Sequence, residues 1–319
     1  MGDRRYHQSL IRDPLGSKVG FVRREVRQRT LMAAGRTITA IAGSDQSPER
    51  PVFVLGCPRS GTTLLFELLR HHEALRSLAE EGHVLWNAYQ HPRFKGWSSD
   101  RATASDIHPG EQRYIYSAIR RIAGAHRFLD KTPKNVLRIP YLASLFPNGV
   151  FVLLHRDGRS TVSSLIEGWT ARRGLSYRLP DPLDLAEYHG RFWSYVLPPG
   201  WRGWRSSSIA EVAAVQYVQS NEVAVADIQC LSSDSVIQIA YEALIARPEY
   251  ESRQLLDRLE LPQSEAVLSF AANLGARLAG SISPPRPEKW RDRIDQIDRV
   301  RPLLAPTMAR LGYTWEGVG

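Results

Sequence analysis

Residues 56–63, Gly-Cys-Pro-Arg-Ser-Gly-Thr-Thr, concentrate groups suited to gripping a tetrahedral oxyanion. The apolar run Phe53-Val54-Leu55 leads in, and an apolar stripe of Leu64, Leu65, Leu68 and Leu69 leads out, so a strand turns into a helix. Such a turn aims backbone N–H groups and the positive end of a helix at one point. Gly56 and Gly61 allow backbone geometry closed to other residues, and Pro58 stiffens the turn. Thr62 and Thr63 add hydroxyls, and Arg59 adds a planar guanidinium. The two glycines have the separation of a GxxxxGK[ST] phosphate loop, but Thr62 stands where that motif has lysine. The cation sits inside the loop instead, at Arg59. Magnesium–nucleotide chemistry also needs an acid on a neighbouring strand. The strand that follows, 149–155, meets His155 and Arg156 before it reaches Asp157.

A second stretch, 153–169, repeats the strand–turn–helix layout. Arg156 ends the strand, and Ser164 lies about 9 Å along a helix that starts near Gly158, at ~1.5 Å per residue. Asp157 is placed to cap that helix, with Arg159 and Ser160 in its first turn. Alone, this stretch reads as a capped helix with surface arginines. Two such elements on adjacent strands imply a ligand with phosphate-like groups at both ends.

The elements that must hold these groups alternate. Strands are expected at 52–56, 126–130, 149–155 and 235–241, with helices between them. The unbroken apolar character of 149–155 is that of a parallel strand buried on both faces. The expected fold is therefore α/β, a P-loop-like, mainly parallel sheet with helices on both faces and ligands at the strand carboxyl ends. Residues 1–50 read as a basic, helical lead-in, and 51–319 as a single domain with a helical insertion at about 170–230.

Composition narrows the class. The 43% hydrophobic and 24% charged content of the 319 residues is that of a globular protein. Cys57 and Cys230 make no disulfide framework and have no metal-ligand spacing. No leader-like or membrane-spanning run of ~20 apolar residues is evident, so a cytoplasmic location is expected. The surplus of 42 Lys+Arg over 33 Asp+Glu could serve nucleic acid, an anionic membrane surface or a highly charged small anion. Part of it lies in 23–40, a basic amphipathic helix able to touch anionic lipid, or a solvated helix packed by one face. Nucleic acid is not an expected partner.

Taken together, the chain resembles sulfotransferases that use 3′-phosphoadenylyl sulfate (PAPS), and most of all the tyrosylprotein branch with its bacterial relatives. The matching blocks are PRSGTTLL (58–65), EE (80–81), DKTPKN (130–135), 141–166, YEALIARP (241–248) and KW (289–290). The resemblance implies that Arg59, Ser60, Gly61, Thr62 and Thr63 bind the phosphosulfate, and that Arg156 and Ser164 bind the 3′-phosphate. It also implies that Tyr241 and Lys289 complete the nucleotide pocket, that Glu80 is the general base, and that Lys131 stabilises the leaving phosphate. Just before KW the tyrosylprotein enzymes carry a serine where this chain has Glu288.

Sulfuryl transfer on this reading is an in-line displacement that leaves 3′,5′-ADP and needs no metal. Arg59 and Lys131 neutralise the leaving group. Glu80, Glu81 and His83 compete for the acceptor proton. A glutamate near about 4.3 facing a phenol near about 10 leaves a gap of about 8 kcal/mol, so proton transfer must be late and concerted. The acceptor is a hydroxyl of a phenol, carbohydrate, lipid or peptide, and the oligomeric state is open. A P-loop-type kinase with a degenerate loop, and a non-catalytic nucleotide-binding descendant, are the alternative readings.

Overall fold

A computed structural model describes residues 11, 15–79, 81–274 and 288–315. Five strands pair in parallel in the order β2-β3-β1-β4-β7. They are β1 (Val52–Leu55), β2 (Leu75–Arg76), β3 (Arg127–Asp130), β4 (Val150–His155) and β7 (Val236–Ala240), while β5 (Leu175–Leu185) and β6 (Tyr188–Ser194) form a separate antiparallel hairpin. The edge strand β2 has two residues, too few to show a period.

Alternation along β1 explains the layers. Phe53 and Leu55 point into one core, with Trp86, Tyr141, Phe146 and Phe151. Val52 and Val54 point into the other, with Leu65, Leu68, Leu69 and Phe270. Both faces are apolar because helices cover both. In register, Leu55 pairs with Leu153, and His155 at the end of β4 pairs with Ala240 at the end of β7. The turns after β1, β3, β4 and β7 consequently emerge along one edge of the sheet.

The helices that matter for the site are α1 (Leu15–Ala42), α2 (Thr62–Arg70), α3 (His83–Gln90), α4 (Glu111–Ala123), α5 (Ile139–Leu145), α6 (Gly158–Thr170) and α7 (Ile209–Ile228). Asp157 caps α6 as its type and place imply, its carboxylate accepting from the Ser160 N–H at 3.1 Å. Among the described residues of the lead-in, α1 lies against α3, α4 and β5. Phe21 and Met32 are buried, and Phe21 meets Phe192 edge-on at 5.2 Å. The basic 23–40 helix thus packs one narrow face, with Met32 and Thr39 buried and most of its other residues exposed. Among the described residues no helix is long and apolar enough to cross a membrane.

The segment 170–230 departs from expectation. Its second half is the helix α7, but its first half is the hairpin. Leu175, Tyr177, Leu179, Leu183 and Leu185 are buried at odd positions, a period of two rather than 3.6. Pro180 and Pro182 fall where the pairing register shifts between Arg178 and Leu183, and they mask that period in the sequence. The hairpin buries its face on α6 and α7, where Trp169, Trp193 and Trp201 meet edge-on.

Candidate active site

At the end of β1 the chain takes conformations that few residues tolerate. Gly56 has φ 156°, and a Cβ there would come within 2.5 Å of the Leu154 carbonyl oxygen. Gly61 has φ 105° and packs directly on the Tyr241 ring, which leaves no room for a side chain. Arg59 is left-handed too, at φ 73°, which costs a non-glycine residue on the order of 1 kcal/mol. No side chain caps α2 at Gly61, and the Ser60 hydroxyl is buried without a protein partner. Buried polar atoms are seldom left so, and this one lies within the anion loop.

The two anion elements meet. Arg59 Nε donates to Ser164 Oγ at 3.1 Å, bridging the β1 loop and the cavity face of α6. Arg156 Nη1 donates to the Arg59 carbonyl at 3.4 Å, and its guanidinium lies 4.1 Å from the Tyr241 ring centroid. Its Nε is buried without a partner. Lys289 Nζ pairs with Glu167 Oε2 at 2.9 Å, and Glu167 follows Ser164 by one helical turn on α6. Glu288, where the resemblance has serine, pairs with Arg291 at 2.8 Å.

A third group lies across the loop. Lys131 Nζ, nearly buried, reaches Thr63 Oγ1 at 3.3 Å and Glu81 Oε1 at 2.6 Å. The other Glu81 oxygen is 2.9 Å from His83 Nε2. Burial alone would push the Glu81 carboxyl up, but the His83 bond and the Lys131 charge outweigh it and hold it well below the usual carboxylate range. Burial, with the Lys134 charge behind it, keeps the His83 imidazole low and therefore neutral at pH 7. Glu80 lies outside the described residues.

The acids at the strand ends are turned away from this group. Asp157 is engaged by Arg159 and the Ser160 N–H. Asp130 accepts from Trp86, Thr132 and Asn135, and burial pushes its carboxyl up to about 6. Neither is placed as the strand carboxylate of a magnesium–nucleotide site.

One cavity of about 1130 Å³ is lined by Arg59, Gly61, Thr62, Thr63, Arg156, Ser164, Tyr241 and Lys289, together with Glu81 and His83. That exceeds the ~300–1,000 Å³ usual for one small ligand, and it suits two. The far wall comes from residues that spacing did not single out. They are Phe21, Arg24, Gln28 and Met32 of α1, His91 and Arg93 after α3, Lys134, and Tyr195 and Val196 after the hairpin. Lys134 falls inside DKTPKN, yet nothing in that block distinguishes it from a surface lysine.

Comparison with known proteins agrees with this geometry. The model of a family described as the sulfotransferase family matches residues 51–265. The chain is 26% identical over 296 residues to protein-tyrosine sulfotransferase 1 of Danio rerio, covering 82% of this chain and 72% of that one. It is 25% identical over 295 residues to protein-tyrosine sulfotransferase A of Caenorhabditis elegans, covering 82% and 67%. In fold it is similar to a sulfotransferase from Mycobacterium avium, with a TM-score of 0.56 at 15% identity over 83% of this chain and 78% of the other. A sulfotransferase from Mycobacterium tuberculosis H37Rv aligns with a TM-score of 0.55 at 15% identity, over 94% and 89%.

Proposed function

This chain belongs to the sulfotransferase family, an enzyme that moves a sulfuryl group to a hydroxyl, and we propose that its donor is PAPS and its proton acceptor Glu81. The observation that carries the donor assignment is the Arg59–Ser164 bond, which joins two anion-binding turns around one cavity. A donor with a phosphosulfate at one end and a 3′-phosphate at the other has the matching charge layout. The partnerless Arg156 Nε, on a residue that lines the cavity, offers a donor to such a ligand. When bound, the nucleotide supplies the sulfuryl group and a bisphosphate leaving group.

The chain's own residues supply the rest. The loop N–H groups, Arg59 and Lys131 hold negative charge at the leaving side, in a partly enclosed site where such donors are worth about 10²- to 10³-fold in rate each. Glu81 faces the cavity and receives the acceptor proton. Its low basicity comes largely from its contacts with His83 and Lys131. An anion on the loop competes for the Lys131 ammonium, already 3.3 Å from Thr63 Oγ1, and so returns basicity to Glu81 as the reaction needs it. The tyrosine of a protein is one acceptor consistent with the relatives, and other hydroxyls fit the same chemistry.

The test is incubation with ³⁵S-labelled PAPS and fractionated extract, alongside calorimetric titration with 3′,5′-ADP, 5′-AMP and magnesium–ATP. Label transfer and a preference for the bisphosphate are expected. Tighter binding of magnesium–ATP, with γ-phosphate transfer, would sink the proposal.

A further inference from the structure

Lys134 is 4% exposed, and its ammonium lies 3.8 Å from the Tyr177 ring centroid. It lines the same cavity as the Arg59 loop. Among the described residues no carboxylate pairs with it. The two acids whose charge it feels are engaged elsewhere. Asp100 is held by Arg138, Tyr177 and the Leu197 N–H, and Glu81 by Lys131 and His83. Burial pushes the Lys134 ammonium down to about 8, so it still carries charge at neutral pH.

A lysine this buried normally has a counter-charge, because desolvating an ammonium is expensive. A surface cation offers no such argument. The surroundings sharpen it. His91 beside Lys134 is kept neutral, pushed down to about 2 by burial and the neighbouring cations. Arg24 on α1 adds further positive charge, and the α1 wall carries Glu25, Gln28 and Arg29 between the apolar Phe21 and Met32. Lys134 and Lys131 are three residues apart, so their Cα atoms lie within about 11 Å. One small molecule therefore reaches from the transfer site to this ammonium.

We infer that the acceptor is a compact hydroxyl compound carrying its own carboxylate, seated with the acid on Lys134 and the hydroxyl toward Glu81. With the ammonium this deep and α1 across the cavity, both groups must enter on one molecule. That separates the class from an acidic patch on a folded protein. The inference rests on the sulfotransferase reading of the same cavity.

The test is ³⁵S transfer to a panel of phenols and alcohols, each offered as a carboxylate and as its amide, for example 4-hydroxyphenylacetate and 4-hydroxyphenylacetamide. A tyrosine peptide with acidic flanks is included. Wild type is expected to favour carboxylates in kcat/KM, through KM. Lys134→Met should lower the carboxylate-to-amide ratio about tenfold to a hundredfold, the factor for a hydrogen bond to a charged group. Lys134→Arg should recover part of it. Binding of 3′,5′-ADP by each variant checks that the fold is intact. No carboxylate preference in wild type, a ratio unmoved by Lys134→Met, or transfer to the acidic peptide alone would each overturn the inference. Failure of wild type to bind 3′,5′-ADP would instead strike the donor assignment beneath it.

Discussion

The two sides of the cavity are built by different means. The side at the carboxyl ends of β1 and β4 is made of backbone: two strand–helix turns, two glycines with no room for a Cβ, and amides at the start of α2 and α6. The opposite side is made of side chains brought from α1, the segment after α3, Lys134 and the end of the hairpin. A backbone cradle recognises charge and tetrahedral shape, and it changes little when surface residues change. A side-chain wall is re-specified by one substitution. This arrangement suits an enzyme whose donor is constant and whose acceptor is particular to it. Consistently, the family model begins at residue 51, so α1 lies outside it.

The sharpest way to break this contrast is at the residue between the two sides. Glu81→Gln should lower kcat by about 10²- to 10⁴-fold, as expected on removing a general base, with 3′,5′-ADP affinity little changed. Glu80→Gln is the paired measurement. A larger loss there than in Glu81→Gln would return the role to Glu80.

A smaller effect belongs to the donor side alone. Ser164→Ala removes the hydroxyl that receives Arg59 Nε, and should weaken 3′,5′-ADP about tenfold by calorimetry while leaving 5′-AMP nearly unaffected. Equal weakening of both nucleotides would mean that Ser164 only steadies Arg59.

The smallest effect separates the two sides by pH. Lys134 is charged below about pH 8 and neutral above it. The KM of a carboxylate acceptor should therefore climb as pH rises through about 8, by a few-fold per pH unit, whereas that of the matching amide should not. Bound carboxylate favours the charged ammonium and moves this inflection upward. Parallel profiles for acid and amide would remove Lys134 from acceptor recognition.

Much of the donor side was legible along the chain. Asp157 as a cap and Gly56 and Gly61 as tight turns each follow from a few consecutive residues, whereas the bond of Ser164 to Arg59 rather than to Arg156 does not. The parallel sheet was legible too, from the unbroken apolar run of β4. The hairpin was not, because Pro180 and Pro182 interrupt its period of two. Nor was the importance of Lys134, since a lysine near a helix start is usually solvated. Only the fold places it over Tyr177 and buries it. The contact of Glu81 with Lys131 at 2.6 Å was not legible either, because adjacent acids look alike in sequence.

What the amino-acid sequence determined by itself was held in contiguous turns: a strand–helix turn at the end of β1, a second at the end of β4, and the sheet that sets them side by side. Those follow from backbone conformation, which a few neighbouring residues dictate. What only the tertiary structure decided was that both turns open into one cavity, that α1 closes its other side, and that Lys134 is stripped of water there. Burial and pairing depend on which distant segments pack together, and no local pattern of residues encodes that.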